Sequence, residues 1–276
     1  MILTFLFHYF IMLLWNEEKE LINVSRKIDR TGEFGFNNNG EKMTIVRYDS
    51  ARNIDVQFDD GTIVEHREYG AFKKGNVKNP MSPSVYNIGI IGVGKFKPYD
   101  KNDKPTKAYI VWKHMLERCY DVKLHEKFPT YKGCEVCQEW WNFQVFAEWY
   151  YSHFYEIENE QMALDKDILK KGNKVYSPDT CVFVPQSINK LFTKHDNARG
   201  KYYIGVRKHG NKFEAKLSKG NGKAMYLGVF ETPKQAFQVY KQAKEDYIKE
   251  VAEEYKGKID NRLYEALMNY EVEIDD

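Results

Sequence analysis

The stretch 164–200 constrains the fold most, because short apolar runs alternate there with turn residues. The apolar runs are too short for helices and favour strands, and the Gly, Asn, Ser, Pro and Asp residues between them favour turns. In chain order, the predicted elements are a strand ending at Asp165, a turn over 170–174, a returning strand at 175–176, a turn over 177–179, an apolar run over 181–184 and a helix over 188–194. The pattern predicts a compact ββα unit.

The polar residues of this unit have a characteristic spacing. Asp165 ends the first strand, Gly172 and Asn173 form the turn, and Asn189 follows Asp179 by ten positions. This spacing resembles the HNH domain of phage and intron homing endonucleases, in a degenerate form with the motif LDKD. In that family the corresponding aspartate and asparagine hold one divalent metal. The resemblance implies Mg²⁺ or Mn²⁺ at Asp165 and Asn189, whose oxygen atoms suit a hard cation.

Lys166 stands where the HNH family has its water-activating histidine, and Thr180 stands where the family has a further asparagine. A general base works best with a pKa near the operating pH, and lysine starts near 10.4 where histidine starts near 6.5. Lys166 could act as a base with a lowered pKa, or as a cation that stabilises the phosphate. In the second case, the metal or His195 would activate the water. An active nuclease and a scaffold that does not cut both remain open.

Two helices are predicted before the ββα unit from apolar residues spaced three and four apart. The first begins near Lys107 and the second covers 139–151. Their predicted core positions are Tyr109, Trp112, Met115, Leu116, Cys119, Trp140, Phe143, Phe146, Ala147 and Tyr150. This segment resembles the region that precedes the LDKD motif in phage HNH-like proteins, so we assign 107–199 to one nuclease-like module.

The chain has four cysteines, too few for a secreted disulfide scaffold, and a reducing cytoplasm is expected. Cys134 and Cys137 form a Cys-x-x-Cys pair that could be half of a zinc site. The residues that could complete such a site are Cys119, His125, His153 and Cys181. No second closely spaced pair follows in the sequence, so zinc is not expected.

After residue 200, three strand-length runs separated by Gly, Asn and Lys turns precede a helix over 234–255. Thr232 and Pro233 are typical of a helix start. The residues that carry a resemblance here are Gly205, Val206, Glu214, Ala215, Tyr226, Leu227, Gly228, Phe230, Thr232 and Pro233. The segment 200–256 resembles an AP2-type DNA-binding domain, which implies a three-stranded sheet in the major groove with the helix behind it.

Basic residues are concentrated in and just before the AP2-like segment and predict contacts with DNA phosphates. The predicted DNA-binding residues are Arg199, Lys201, Arg207, Lys208, Lys212, Lys216 and Lys219. Strand alternation predicts that Phe213, Ala215 and Leu217 face the helix while Glu214 and Lys216 face outward. Among the basic residues, we expect Arg207 and Lys208 to contact bases or phosphates. A solvated basic face without a partner is the alternative.

The remaining segments carry weaker signals. Residues 1–30 begin with an apolar run over 2–15, which is short for a membrane span, and no stable membrane association is expected. Alternating strands predict a small β-barrel or SH3-like meander over 31–80. A Gly- and Pro-rich linker follows over 81–106, and an acidic tail, with one short helix over 261–270, covers 257–276.

Together these features predict a modular α+β protein: a small β-barrel, a helical and ββα nuclease-like unit, and a three-stranded sheet with a helix. The expected function is a phage-type, HNH-like DNA endonuclease that hydrolyses phosphodiesters with a metal and nicks one strand. The alternative is a DNA-binding or host-protein-interfering phage protein that does not cut. Double-stranded DNA is the expected partner, a host protein is an open possibility, and the host cytoplasm is the expected location.

Overall fold

The computed structural model of the chain describes residues 28–192, 201–219 and 224–274. Described residues up to Ser82 form one compact unit, and those from Pro83 onward form a second. Both contain small sheets and helices, so the predicted α+β class is confirmed. No helix within the described ranges is long and apolar enough to cross a membrane. The apolar run over 2–15 lies outside the described residues.

The first unit is an antiparallel meander followed by a short helix. Its elements are β1 (Phe34–Phe36), β2 (Lys42–Ser50), β3 (Asn53–Phe58), β4 (Ile63–Arg67) and α1 (Tyr69–Lys73). The strands pair in chain order, which is the meander that the sequence predicts. The hairpin between β3 and β4 turns at Gly61, whose φ of +86° is accessible to glycine at little cost.

The predicted β-barrel is wrong, because this sheet is open, with β1 and β4 as its two edges. β1 has only three residues, which gives it little backbone to pair with a second neighbour. α1 covers the inner face of the sheet instead. Phe72 of α1 is buried, and a Cβ added at Gly35 of β1 would lie 3.4 Å from its ring. The core is therefore completed by a helix and not by closure of the sheet.

The second unit contains most of the helices and three further small sheets. Its elements, in chain order, are α2 (Lys107–Tyr120), α3 (Val122–Lys127), β5 (Glu135–Val136), α4 (Phe143–His153), β6 (Met162–Asp165), β7 (Val175–Tyr176), β8 (Val182–Pro185), α5 (Gln186–Asn189), β9 (Val206–His209), β10 (Lys212–Ser218), β11 (Ala224–Phe230), α6 (Pro233–Glu254) and α7 (Asn261–Met268).

α2 begins where the sequence predicts, after Thr106, whose side chain caps the helix by accepting a hydrogen bond from the Tyr109 amide. The second predicted helix starts later than expected. Residues 138–141 form a 3-10 turn, and Asn142 caps α4 by accepting from the amide of Gln144. Every residue of the two predicted apolar faces is buried. They form one aromatic-rich core, in which the Trp112 indole donates to the Trp140 carbonyl at 2.7 Å.

The Gly- and Pro-rich segment after Pro83 is packed against α2 and α4. A Cβ at Gly89 would lie 2.5 Å from a methyl carbon of Leu116, so only glycine allows this close approach. The Gln144 side chain accepts from the Phe96 amide at 3.0 Å and donates to the Phe96 and Ile91 carbonyls. These contacts fix the segment that the sequence predicts as a linker.

The ββα unit is built from β6, β8 and α5. β6 pairs antiparallel with β8, with Asp165 opposite Val182, whereas β7 pairs in parallel with β5. The predicted return strand at 175–176 is therefore not the partner of β6, which pairs with the longer, fully buried apolar strand β8. The helix predicted over 188–194 is a single turn, α5, and residues 193–194 lie outside the described ranges.

The C-terminal sheet has the order β11-β10-β9, all antiparallel, and α6 packs on one face. A capping box between Thr232 and Gln235 starts α6, with Pro233 at its first position. The first half of α6 packs on the sheet through Ala236, Phe237 and Tyr240. The second half enters another core, whose buried members are Val182, Val184, Ile188, Ile248, Val251, Ala252, Leu263 and Leu267.

α6 thus joins the sheet and the ββα unit in one compact body. α7 contributes Leu263 and Leu267 to the second core, and Val272 is buried beside the sheet. The sequence divides 107–199, 200–256 and 257–276 into modules, but the described residues of these three segments share the two cores.

Candidate functional site

Asp165 lies at the end of β6 with its carboxylate turned back onto the chain. Its Oδ1 atom accepts hydrogen bonds from the amides of Asp167 at 2.9 Å and Ile168 at 2.8 Å. Burial and the neighbouring carboxylate of Asp167 raise the pKa of Asp165 to about 6, although the two amides oppose this change. A desolvated carboxylate of this kind favours a nearby cation.

Lys166 is held inside the turn that follows β6, with only 7% of its surface exposed. Its Nζ atom donates to the Asn173 carbonyl at 3.0 Å and to Oδ2 of Asp167 at 3.2 Å. The same nitrogen lies 5.8 Å from the ring centre of Tyr176. The side chain of Asn173 donates in turn to the carbonyls of Lys166 and Val175, both at 2.7 Å. Lys166 therefore neutralises Asp167 and closes the turn.

Asn189 belongs to the same unit as Asp165. It ends α5, which packs against both β6 and β8. The residue is half-buried and has an interaction partner. Thr180 donates to the Val175 carbonyl at 2.8 Å and so stabilises the second turn. His195, the other predicted catalytic residue, lies outside the described residues.

Arg118 joins this site from α2, although its helical position is off the apolar face. Its guanidinium carbon lies 5.8 Å from the ring centre of Tyr131. Burial opposes its charge, yet the electrostatic influence of Tyr176, Tyr131 and Asp165 raises its pKa. Helical periodicity alone could not reveal this, because Tyr176 reaches α2 through the non-local pairing of β7 with β5.

The oxygen atoms of Asp165 and Asn189 suit Mg²⁺ or Mn²⁺, which complete their coordination with water. Within the described ranges, no three His, Cys, Asp or Glu side chains are grouped closely enough to hold a metal ion. Any metal would therefore depend on the carboxylate, the amide and solvent.

The cysteines that could form a zinc site are buried or partly buried. Burial raises the pKa of Cys119 and Cys181 to about 12 and that of Cys137 to about 11, which disfavours the thiolate that zinc requires. The sulfur of Cys134 lies 4.0 Å from the Thr130 carbonyl. His125 and His153 use ring nitrogens to contact the carbonyls of Arg118 and Trp149, both at 2.8 Å. These residues are engaged in packing and local hydrogen bonds.

The face of the C-terminal sheet opposite α6 carries a second cluster of charges. Glu214 is 4% exposed and pairs with Arg207 on β9 and with Lys216, whose Nζ lies 3.0 Å from its carboxylate. The hydrogen bond from Arg207, followed by that from Lys216, lowers the pKa of Glu214. Glu214 therefore remains charged and orients two of the cations predicted to bind DNA.

Strand register separates the predicted DNA-binding residues by face. Arg207 pairs across the sheet with Glu214, on the outer face, whereas Lys208 pairs with Phe213, on the α6 side. Register also places two residues on the outer face that the sequence analysis did not select. They are His209, opposite Lys212, and Tyr226, which lies opposite Lys216 and is 59% exposed.

The remaining predicted DNA-binding residues differ in their contacts. Lys212 forms an exposed ion pair with Glu231 at 2.5 Å. Lys219 lies 3.6 Å from Glu250 and 4.4 Å from the ring centre of Tyr247, so it leans on α6. Lys201 is exposed. Arg199 lies outside the described residues.

Comparisons with protein-family models, with curated proteins and with solved structures give no match to this chain.

Proposed function

We propose that the chain is a metal-dependent endonuclease that binds duplex DNA through the outer face of β9, β10 and β11. The observation that carries the proposal is the half-buried carboxylate of Asp165, which ends β6 of a ββα unit and is followed directly by the buried Lys166. The resemblance to HNH endonucleases gives this carboxylate its role.

Asp165 and Asn189 would hold a divalent cation, which activates water and polarises a phosphate oxygen when bound. Lys166 keeps Asp167 neutralised and fixes the loop next to the metal ligand. Its Nζ donates hydrogen bonds to both Asp167 and Asn173. In this proposal Lys166 is a cation that fixes the loop, and the metal activates the water.

The AP2-like sheet would supply most of the affinity for DNA. Arg207, Lys212 and Lys216 lie on its outer face together with the exposed ring of Tyr226. Lysine and arginine on such a face neutralise phosphates and release counterions, which makes binding dependent on salt. Glu214 fixes Arg207 and Lys216, so the face presents cations in a defined arrangement.

A second candidate function is DNA binding without cleavage, with interference with a host protein as one possible purpose. The anchored position of Lys166 favours it, because the residue at the place of the family's histidine is committed to a turn. In that case the ββα unit is a scaffold that braces α6 through the shared core.

Incubation of supercoiled plasmid with Mg²⁺ or Mn²⁺ separates the two candidates. Asp165→Ala and EDTA remove the predicted metal site, and Asp246→Ala, on an exposed position of α6, is a matched control. Nicking that is lost with Asp165→Ala and with EDTA, but kept with Asp246→Ala, supports the endonuclease. Plasmid that is bound but stays supercoiled under every condition supports the second candidate.

A further inference from the structure

Four exposed lysines are grouped around the short segment that follows α3. Lys123 and Lys127 lie on α3 four positions apart, so they share one face of the helix. Lys132 follows the 3-10 turn that contains Thr130. Lys174 reaches the same turn from the loop before β7, because its Nζ donates to the Thr130 carbonyl at 2.8 Å. Two segments that are distant in the sequence thus bring their cations together.

Backbone pairing holds these two segments next to each other. β5 and β7 run parallel, with Glu135 opposite Val175. The Glu135 amide donates to the Lys174 carbonyl at 2.9 Å. The position of Lys174 beside Thr130 is therefore fixed by the sheet as well as by its own side chain.

The charges of these lysines are not balanced by nearby carboxylates. Within the described ranges, no ion pair engages any of the four. Over residues 122–135 the exposed carboxylates are Glu126 and Glu135. Four lysines against two carboxylates leave the surface positive, although the whole chain has a net charge of only +2. A surface of this kind attracts polyanions.

An exposed aromatic ring lies among these lysines. Phe128 directly follows Lys127, and 52% of its surface is exposed. Its ring centre lies 6.4 Å from that of Tyr131, in an edge-to-face arrangement that orients the ring. Because half of Phe128 is exposed, it offers apolar area to a ligand. An exposed ring beside cations without carboxylate partners suits a ligand that is both aromatic and anionic.

We propose that this surface binds single-stranded DNA. Its members are Lys123, Lys127, Phe128, Lys132 and Lys174. Unpaired bases stack on aromatic side chains, and lysines neutralise the phosphates that link them. In a duplex the bases stack on one another, which leaves no free base face for Phe128. The surface is separate from the sheet face proposed to bind duplex DNA. It borders the candidate metal site, because Lys174 directly follows Asn173, which is bonded to Lys166.

Four variants test the surface. Phe128→Leu keeps an apolar side chain without the aromatic face, and Phe128→Tyr keeps the ring. Lys127→Ala with Lys132→Ala removes two charges. Lys234→Ala with Lys249→Ala, at exposed positions of α6, is the matched control. Each protein is titrated in EDTA with a labelled oligothymidylate of about 16 nucleotides, with an oligouridylate of the same length and with a duplex, at several salt concentrations. The thermal midpoint of each protein is measured alongside.

We expect Phe128→Leu to weaken oligothymidylate binding by about tenfold, the usual effect of losing one stacked base, and Phe128→Tyr to bind like the wild type. The double lysine variant should lower the slope of log K against log salt by about 1.4, because each phosphate contact with a single strand contributes about 0.7. The control pair should leave affinity and slope unchanged. Duplex affinity should change little in Phe128→Leu, because the sheet binds the duplex.

Three results would overturn the proposal: no binding of oligothymidylate by the wild type, equal affinity in the wild type and Phe128→Leu, or an equal loss of duplex affinity in Phe128→Leu. Tighter binding of the oligouridylate would overturn the assignment to DNA. A loss that accompanies a lowered thermal midpoint in both Phe128 variants would also reject the surface. In each of these cases, plasmid nicking by the wild type would still support the endonuclease. Single-strand binding that depends on the Phe128 ring would stand even if the plasmid is never nicked.

Discussion

The ammonium nitrogen of Lys166 lies 3.0 Å from the carbonyl oxygen of Asn173, and the side-chain nitrogen of Asn173 lies 2.7 Å from the carbonyl oxygen of Lys166. These reciprocal bonds close the loop that leaves β6 next to Asp165. Because Lys166 is almost fully buried, water cannot easily replace either bond. Lys166 thus has a structural role that can be measured.

Replacing Lys166 by Met should destabilise the fold. The Asn173 carbonyl loses a donor, and an unpaired buried acceptor costs about 1–3 kcal/mol, whereas the exposed Asp167 carboxylate can bond to water instead. Urea unfolding measures the change. Lys170→Met, at an exposed position in the same turn, is the control and should leave stability nearly unchanged. If the two variants are equally stable, Lys166 does not hold the turn.

Arg207→Ala and Lys208→Ala should differ in their effect on DNA binding. Arg207 lies on the outer face of the sheet with Glu214, whereas Lys208 lies on the α6 side, opposite Phe213. Removing Arg207 should weaken binding and lower the slope of log K against log salt by about one, as expected for one lost phosphate contact. Lys208→Ala should retain the wild-type slope. Binding isotherms at several salt concentrations test this, and equal effects would show that the outer face alone does not contact DNA.

Local features of this fold follow from local spacing. The apolar face of α2, the hairpin at Gly61 and the start of α6 at Thr232 each depend on residues within a few positions of one another. Contacts between distant segments leave no such pattern. Nothing at 175–176 indicates a parallel pairing with β5, and the same pairing brings Tyr176 into the core formed with α2.

The environments of the charged residues in the candidate sites also depend on contacts between distant segments, which the sequence pattern does not predict. Alternation correctly places Glu214 on the outer face, but an outward glutamate is ordinarily exposed, and this one is almost fully buried by its neighbours. Its pairing with Arg207 depends on the β9–β10 register, which alternation alone leaves undetermined.

Gly205→Ala should be strongly destabilising. A Cβ at this position would lie 2.0 Å from a ring carbon of Tyr240 on α6, and the φ of +74° is unfavourable for alanine. Gly210 offers a matched control, because its φ is also positive, at +59°, but no atom lies within 4 Å of an added Cβ. Gly210→Ala should therefore show the backbone strain alone, about 1–3 kcal/mol, and Gly205→Ala a larger loss. Chemical denaturation of both variants measures the difference, and equal losses would mean that α6 moves aside without cost.

Lys244 should make stability depend on pH. It lies on α6 with 9% of its surface exposed, and its Nζ donates to the Leu191 carbonyl at 2.9 Å. Burial lowers its pKa to about 8. In the unfolded chain the pKa of Lys244 is about 10.4. Between pH 8 and about 10.4, Lys244 is therefore mostly protonated in the unfolded chain and mostly neutral in the folded chain. Raising the pH through this window therefore stabilises the fold.

The contribution of Lys244 is obtained by comparison with Lys244→Met, in which all other titrating groups are kept. The free energy of unfolding of the wild type should rise relative to this variant by up to about 3 kcal/mol between pH 8 and 10.4, and should stay level below pH 7. Lys249→Met, at an exposed position of the same helix, should show no such slope. Urea unfolding at closely spaced pH values measures both differences. A difference between the wild type and Lys244→Met that stays constant across the window would mean that the ammonium remains charged in the folded chain.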